Sequence, residues 1–249
     1  MKGDIFEVKE SLNIPAEEAY KVLRTNIQFC TLEKKMKSVA IVSSGHMDGK
    51  TTTTINLAIS MAKSNMKILL IDADMRKPVK YKHFGGQMEL GLADIVSGTA
   101  TFENAVMDTN IHNLSILTSG TKPTYPTEFL ISSALDEILI SAKQEYDFVI
   151  IDSPAMGSYI DGAVIASKAD GVLILAKWKS THYHSIERAK KQLEKVNANI
   201  LGIVLNKVNK GEYKNYYIMN YNYEHLRTSF DYKKALNQAK GKENVPLRG

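Results

Sequence analysis

Three short segments carry side chains whose types and spacing could do chemistry, and the first is a turn that ends Gly49-Lys50-Thr51. The turn joins an apolar run to a segment of helix length. In such a turn, backbone N–H groups and the positive end of the helix surround phosphates, a lysine adds charge, and a threonine hydroxyl can coordinate Mg²⁺. The segment therefore predicts a P-loop for ATP or GTP. The residues expected to line it are Ser44, Gly45, Asp48, Gly49, Lys50, Thr51 and Thr52.

The loop departs from the strict P-loop pattern. That pattern places glycine where Ser44 stands, and His46, Met47 and Asp48 fill the space before Gly49. Taken alone, the segment leaves open an ordinary strand-to-helix turn with a surface lysine.

The other two segments place carboxylates at the ends of apolar runs. Asp72 and Asp74 follow one run, and Asp152 ends another. If the chain stays extended, Asp72 and Asp74 face the same cleft, where they suit magnesium-bound water or the removal of a proton from an attacking hydroxyl. Asp152 has the position of a Walker B carboxylate and is expected to complete a magnesium shell with Thr51 and Asp74. The alternatives are that Asp74 caps a turn and that Asp152 caps a strand.

Alternating apolar runs and amphipathic segments position these loops. The pattern predicts an α/β fold, a doubly wound and mainly parallel sheet flanked by helices, with the ligand beyond the carboxyl ends of the strands. Strands buried on both faces are expected at 38–43, 67–72, 114–118, 148–152, 171–176 and 200–205. Helices are expected at about 15–35, 51–63, 127–143, 160–167 and 184–196, with a weak one near 230–239.

Length and composition favour one domain over residues 1–249, with a flexible, tyrosine-rich C-terminal tail expected at about 209–249. No apolar run reaches the length of a membrane span, and no secretory signal follows Met1. The only cysteine, Cys30, lies in an apolar helical pattern and is expected to be buried, which favours a reducing cytoplasm. Residues 206–249 contain nine Lys or Arg and four Asp or Glu. This excess of positive charge indicates either a solvated end or a surface that binds nucleic acid or anionic lipid.

Over about residues 18–232, the chain resembles the bacterial tyrosine autokinases of capsule and exopolysaccharide systems, the CpsD/CapB type, within the MinD-like and ParA-like ATPases. The P-loop is one of the motifs that carry the resemblance. The others are Glu18-Ala-Tyr-Lys-Val-Leu-Arg24-Thr-Asn26, Asp72-Ala-Asp74-Met-Arg76-Lys-Pro78, Gly120-Thr-Lys-Pro123-Thr-Tyr-Pro126-Thr-Glu128-Phe-Leu130, Asp152-Ser-Pro154 with Asp161, and Leu205-Asn206-Lys207.

The resemblance implies an ATP- and Mg²⁺-dependent kinase that phosphorylates its own C-terminal tyrosines in trans. It assigns Lys50 to the β- and γ-phosphates, Asp72 and Asp74 to the catalytic pair, and Asn206 to the adenine edge. Asp72 is expected to be the base that acts on the tyrosine hydroxyl. The tyrosines that match the family's acceptor cluster are Tyr213, Tyr216, Tyr217, Tyr221 and Tyr223. One or two of them could instead pack as an aromatic hairpin on the sheet.

The same resemblance implies partners. Glu18, Lys21 and Arg24 match the oligomerisation helix, with lysine where the family has arginine, and imply a homo-oligomeric ring. A transmembrane activator with a cytoplasmic tail, and a cognate tyrosine phosphatase, are the expected protein partners. The kinase would then lie in the cytoplasm, at the inner face of the membrane through its activator, with no nucleic acid bound. A cytoplasmic part of a longer fused protein would have the same sequence features.

Two other functions fit the sequence. A ParA-like or MinD-like ATPase switch would bind DNA or membrane through the basic tail. Its dimers depend on a further lysine early in the P-loop, and the corresponding region, 43–46, has none. A weakly active pseudokinase scaffold would keep the fold and lose turnover through the substitutions at His46, Met47 and Asp48.

Overall fold

The structure is a computed structural model that describes residues 7–8, 12–76, 90–157, 159–209 and 211–212, with only the backbone for 31–34. The chain divides into two units, 1–206 and 207–249. The first unit contains the sheet and its helices. In the second, the described residues are 207–209 and 211–212, where the Glu212 N–H donates to Asn209 Oδ1 over 2.9 Å.

A seven-stranded sheet forms the centre of the first unit, in the order β3-β4-β2-β5-β1-β6-β7. The strands are β1 (Ser38–Ser43), β2 (Ile68–Asp72), β3 (Val106–Asp108), β4 (Leu114–Leu117), β5 (Phe148–Asp152), β6 (Gly171–Lys177) and β7 (Ile200–Asn206). All neighbouring pairs are parallel except β3 with β4. The predicted doubly wound, mainly parallel α/β fold is confirmed.

Helices cover both faces of this sheet. They are α1 (Ile14–Lys34), α2 (Lys50–Ala62), α3 (Leu92–Val96), α4 (Phe102–Ala105), α5 (Pro126–Ile131), α6 (Ser133–Glu145), α7 (Asp161–Lys168) and α8 (Tyr183–Lys195). No helix among the residues that the structure describes is both long and apolar enough to cross a bilayer.

Alternate side chains of each central strand belong to two separate cores. In β1, Val39 and Ile41 pack with α1 and α2, whereas Ala40 and Val42 pack on the side of α6, α7 and α8. Burial of each large apolar side chain contributes roughly 1.5–3 kcal/mol. Burial on both faces favours an inner position in the sheet for β1, β2 and β5, whose ends lie beside one another in the order β2-β5-β1.

Several predicted elements are corrected. The helix expected at 127–143 is two helices, because Ser132 leaves the helical conformation at ψ 153° between α5 and α6. Strand β7 is not buried on both faces, since it lies at the sheet edge and its Ile203 and Leu205 side chains are each 53% exposed. Elements α3, α4 and β3 were not predicted; each is five residues or shorter, too brief for a periodic pattern.

The predicted burial of Cys30 is wrong, because its free thiol belongs to an exposed residue of α1. Ile27 is buried and, with Tyr20 and Leu23 beside it, packs into the core. The contacting stripe of α1 therefore includes Ile27 and leaves Cys30 outside. The predicted weak helix near 230–239 lies outside the described residues.

Candidate active site

The turn after β1 has the backbone of a phosphate-binding loop. Met47 and Gly49 adopt positive φ values of 62° and 95°, and α2 begins at the next residue, Lys50. The left-handed conformation at Gly49 turns the chain from the strand into the helix, a conformation that glycine adopts at little cost. The Gly49 carbonyl then accepts the Thr53 N–H at 2.9 Å. The turn thus presents the first N–H groups of α2 at the carboxyl edge of the sheet.

The side chain of Lys50 extends back from the start of α2 towards the end of β1. Its Nζ donates to Ser43 Oγ at 2.8 Å, and Ser43 Oγ donates to the Gly45 carbonyl at 2.7 Å. Burial lowers the pKa of Lys50, and the negative charges of Asp152, Asp48 and Asp74 oppose that shift without cancelling it. The ammonium group is therefore placed among carboxylates in a partly desolvated site, where a polyphosphate would stabilise its charge.

Asp152 joins the end of β5 to the first turn of α2. Its carboxylate accepts hydrogen bonds from Thr51 Oγ1 and, at 3.3 Å, from Thr54 Oγ1. Burial raises the pKa of Asp152 to about 6, although the Thr51 hydrogen bond and the Lys50 charge act in the opposite direction. Thr54 was missed in the sequence, although its helical spacing of three residues from Thr51 could have indicated it.

Asp72 lies directly beside Asp152 across the sheet. The two residues are register partners in the parallel β2–β5 pair. After Asp72 the chain turns rather than staying extended, since the Asp74 N–H donates to Asp72 Oδ1 at 3.0 Å and the Arg76 N–H to Asp74 Oδ1 at 3.3 Å. Asp74 therefore does cap a turn, and it also contributes to the electrostatic environment of Lys50 and Asp152.

Hydrogen bonds of Asp48 connect the P-loop with Thr181, after β6, and with Asn206, at the end of β7. The Asp48 side chain is only 5% exposed, and its Oδ2 accepts the Gly45 N–H at 3.1 Å. Thr181 Oγ1 donates to Asp48 Oδ1 at 3.4 Å, and Asn206 Nδ2 donates to the Asp48 carbonyl at 2.8 Å. Asp48 and Asn206 therefore stabilise the conformation of the loop through these hydrogen bonds. The assignment of Asn206 to the adenine edge stays a prediction.

Two other predicted lining residues differ in environment. Ser44 is half-buried. Its carbonyl oxygen lies so close to Gly157, in the loop after β5, that a Cβ added to this glycine would be 2.3 Å from it. Thr52 is exposed on α2. The structure places both in the P-loop segment without assigning either a contact to nucleotide.

An ion pair close to Asp74 was missed in the sequence. The Arg76 guanidinium binds Asp161 through Nε and Nη2, and Nη2 also donates to Thr127 Oγ1 at 2.9 Å. Asp161 is 1% exposed, at the start of α7, and the Tyr159 ring centroid lies 3.8 Å from Arg76 Cζ. The hydrogen bond that Arg76 donates to Asp161 raises the pKa of Arg76, which stays fully charged. This cluster fixes the loop after β2 to α5 and α7.

The three predicted oligomerisation residues lie on α1, and each of them has a partner within the chain. Lys21 pairs with Glu18 at 2.7 Å, and Arg24 Nη1 donates to the Ser60 carbonyl of α2 at 2.6 Å. Arg24 therefore ties α1 to α2 within the chain. Their role in oligomer formation stays a prediction. The five predicted acceptor tyrosines, all within 213–223, lie outside the described residues.

The donors around Thr51 fit magnesium better than a transition metal. Within the described ranges, no group of three His, Cys, Asp or Glu side chains could hold a metal ion. Magnesium instead keeps several waters and uses one or two carboxylates together with substrate phosphates. The hydroxyl of Thr51 and the carboxylates of Asp152 and Asp74 are oxygen donors of this kind, so the residues fit the expected ion.

Comparisons with known proteins agree with this geometry. The family model described as an AAA domain matches residues 36–206. The tyrosine-protein kinase CpsD of Streptococcus agalactiae is 36% identical over 206 residues, which cover 80% of this chain and 89% of that protein. The chain belongs to the bacterial tyrosine-protein kinases. A second member, the tyrosine-protein kinase YwqD of Bacillus subtilis, is 33% identical over 87% of this chain and 92% of its own length.

Solved structures place the kinase family within the P-loop ATPases. The kinase domain of the Escherichia coli tyrosine kinase ETK has a TM-score of 0.76 and 29% identity, covering 78% of this chain and 76% of that domain. The cell division ATPase MinD of Pyrococcus furiosus has a TM-score of 0.61 and 26% identity, and the match covers 71% of this chain and 74% of that chain. The predicted family, fold class and enzyme class, a protein-tyrosine kinase, are confirmed.

Proposed function

We propose that this kinase transfers the γ-phosphoryl group of ATP to tyrosines of its own C-terminal segment, 213–223, in a second copy of the chain. The observation that carries the proposal is the meeting of Lys50, Asp152 and Asp72 at adjoining strand ends, with Asp72 and Asp152 in direct register. Phosphoryl transfer depends on such positioning and on charge neutralisation. The segment 213–223 supplies five tyrosines.

The residues divide the reaction between them. Lys50 neutralises charge on the β- and γ-phosphates, and the N–H groups of the P-loop hold them in place. The bond between the γ-phosphorus and the β,γ-bridging oxygen breaks, a bond forms to the tyrosine oxygen, and ADP leaves. Asp72 accepts the proton of the tyrosine hydroxyl. Magnesium, held by Thr51, Asp152 and Asp74, would supply further charge neutralisation.

Assembly and cellular role belong to the same proposal. The relatives named CpsD and CapB support a part in capsular or exopolysaccharide synthesis and export. A structural neighbour titled the chimerical protein CapA2B2, with a TM-score of 0.76 and 27% identity, supports an activator protein as partner. We propose that the activator is a membrane protein that brings a homo-oligomeric ring of the kinase to the cytoplasmic face of the membrane, and that a cognate phosphatase reverses the modification.

The test is phosphotyrosine mapping of the full chain by mass spectrometry after incubation with Mg-ATP, with and without the activator's cytoplasmic tail. We expect phosphate on tyrosines 213–223, and a loss of at least about 100-fold in Lys50→Met and Asp72→Ala. Lys195→Met, which removes an exposed lysine at the end of α8, is the matched control. Transfer in trans is shown if Lys50→Met chains are labelled by an active chain whose five tail tyrosines are phenylalanine.

Two outcomes would favour the other candidate functions. Steady ATP hydrolysis without phosphotyrosine would indicate an ATPase switch, and nucleotide binding without either reaction would indicate a scaffold. The proposal is overturned if nucleotide binds and no tyrosine between 213 and 232 is modified with the activator present.

A further inference from the structure

The order of the strands gives the site two distinct sides. The P-loop follows β1, Asp152 ends β5 and Asp72 ends β2. In the sheet, β5 lies between β1 and β2. The phosphates are expected over the P-loop, so the nucleotide occupies the β1 side. An in-line transfer brings the acceptor oxygen from the side opposite the leaving oxygen. The acceptor must therefore approach across β2, past Asp72 and Asp74.

Arg76 and Tyr159 stand on that side. The Arg76 N–H donates to Asp74 Oδ1, so this residue directly adjoins the catalytic pair. Its guanidinium is already used by Asp161 and Thr127, and it is therefore a fixed plane rather than a free cation for a phosphate. Tyr159 stacks on this plane with its centroid 3.8 Å from Arg76 Cζ.

Tyr159 remains open to a partner despite this support. The residue is 42% exposed, and the next residue, Ile160, is 62% exposed. Asp161, which follows them, is buried in the ion pair with Arg76 and holds the end of their loop in place. An exposed aromatic side chain on a rigid support, next to catalytic carboxylates, has the features of a contact surface for a substrate.

We propose that Tyr159, held on Arg76, forms the acceptor side of the active site and contacts the segment 213–223 of a second copy of the chain. The inference rests on the proposed function and adds a residue that determines acceptor specificity. The segment suits the surface because it contains five tyrosines and a single charged residue, Lys214. An acidic segment would be repelled by Asp72, Asp74 and Asp152, whereas a nearly uncharged aromatic segment can stack on Tyr159.

Steady-state kinetics with a peptide of residues 213–223, blocked at both ends, test the surface in the full chain, with peptide phosphate measured by mass spectrometry. Tyr159→Ala should raise the KM for the peptide about five- to tenfold, because it removes aromatic contact with the acceptor. Its kcat and its KM for ATP should stay within about twofold of wild type, since no contact to nucleotide is lost. Tyr159→Phe should behave as wild type. Tyr183→Ala, which removes an exposed tyrosine of α8, is the control.

A binding experiment separates this inference from the proposed function. The same peptide with phenylalanine in place of every tyrosine is titrated against the full chain by fluorescence anisotropy, with a non-hydrolysable ATP analogue and Mg²⁺ present. Weaker binding to Tyr159→Ala than to wild type and Tyr183→Ala supports the surface even if no phosphotyrosine forms. The inference is overturned if wild type does not bind the peptide, if Tyr159→Ala binds it equally well, or if the KM for ATP rises in parallel with the KM for the peptide.

Discussion

The hydroxyl of Thr51 donates a hydrogen bond to the carboxylate of Asp152, and so connects the start of α2 with the end of β5. Asp152 is 3% exposed, and burial raises its pKa to about 6 from an ordinary value of 3.8. An ionised Asp152 therefore lowers the stability of the folded protein at neutral pH, and this cost is present above the folded pKa. The buried charge lowers the stability of the protein and is the kind of charge that the proposed magnesium ion would offset.

Asp152→Asn should therefore make the nucleotide-free protein more stable and the kinase inactive. At pH 7.5, we expect the free energy of unfolding to rise by about 1 to 3 kcal/mol, because a pKa shift of one unit corresponds to about 1.4 kcal/mol and asparagine keeps the shape of the side chain. Mg-ADP is expected to raise the melting temperature of the wild type, and this rise should be absent in the variant. Urea unfolding and thermal scans with and without Mg-ADP measure both effects.

The control for this variant is Asp136→Asn, which changes an exposed carboxylate of α6 that pairs with Lys168 at 2.6 Å. Its stability should change by less than about 1 kcal/mol, and its response to Mg-ADP should not change. A nucleotide-free Asp152→Asn protein less stable than the wild type would contradict the prediction.

Asp48 and Thr181 should act on nucleotide affinity through one shared contact. Asp48→Ala removes the acceptor for both Gly45 and Thr181, so we expect about tenfold weaker binding of a fluorescent ADP analogue. Thr181→Val removes the hydrogen bond to Asp48 and the acceptor of the Lys177 N–H at 2.8 Å, and we expect about threefold weaker binding. Because both changes break the contact between Asp48 and Thr181, the loss of affinity in the double variant should be smaller than the product of the two single losses. Fully additive losses would show that the two residues act independently.

The sequence predicted the parts of the site that depend on local pattern. Strands β1 and β5 have the predicted limits, because each is a short apolar run with a turn at its end. The meeting of Lys50, Asp72 and Asp152 follows from the parallel sheet, whose carboxyl ends share one edge. Strand β7 shows the limit of this reasoning, because Ile203 and Leu205 are as apolar as core residues although they lie at the sheet edge.

The remaining contacts join residues that are far apart in the chain. Arg76 and Asp161 are 85 positions apart, and Asp48 and Thr181 are 133 positions apart. The sequence showed Asp48 as an additional carboxylate beside the phosphates, yet its side chain supports Gly45 and Thr181. Nothing in a local pattern fixes such partners, since they depend on the order of the strands and on the conformations of the loops between them.

Loss of either partner of the Arg76–Asp161 ion pair should have unequal effects on stability. Arg76→Met leaves a carboxylate that is 1% exposed without its cation, and we expect a loss of about 3 to 5 kcal/mol. Asp161→Asn leaves Arg76, whose side chain is 27% exposed and can be hydrated, so a loss of about 1 to 2 kcal/mol is expected. Urea unfolding at pH 7.5 gives both values. Equal losses in the two variants would show that the burial of Asp161 does not determine how much free energy of unfolding is lost.

Asp170 should stabilise the fold in a pH-dependent way. Its Oδ1 accepts from Lys143 Nζ at 2.7 Å, and its Oδ2 accepts from the Lys37 N–H at 2.9 Å. Burial raises the pKa of Asp170, but these hydrogen bonds and the charge of Lys143 outweigh it and leave the pKa below its ordinary value of 3.8. The stabilisation is therefore fully present above pH 3.8 and is lost as the pH falls through the lower, folded-state pKa.

Asp170→Asn should accordingly lower the free energy of unfolding by about 1 kcal/mol at pH 7 and at pH 5, a modest value because the side chain is 30% exposed. The difference between wild type and variant should shrink below about pH 4, where the wild-type carboxylate begins to be protonated. Urea unfolding at several pH values between 3 and 7 measures it. Glu194→Gln, in an exposed pair with Lys190 at 3.5 Å, should change stability little throughout this range. A difference that grows as the pH falls would mean that Asp170 does not have a lowered pKa in the folded protein.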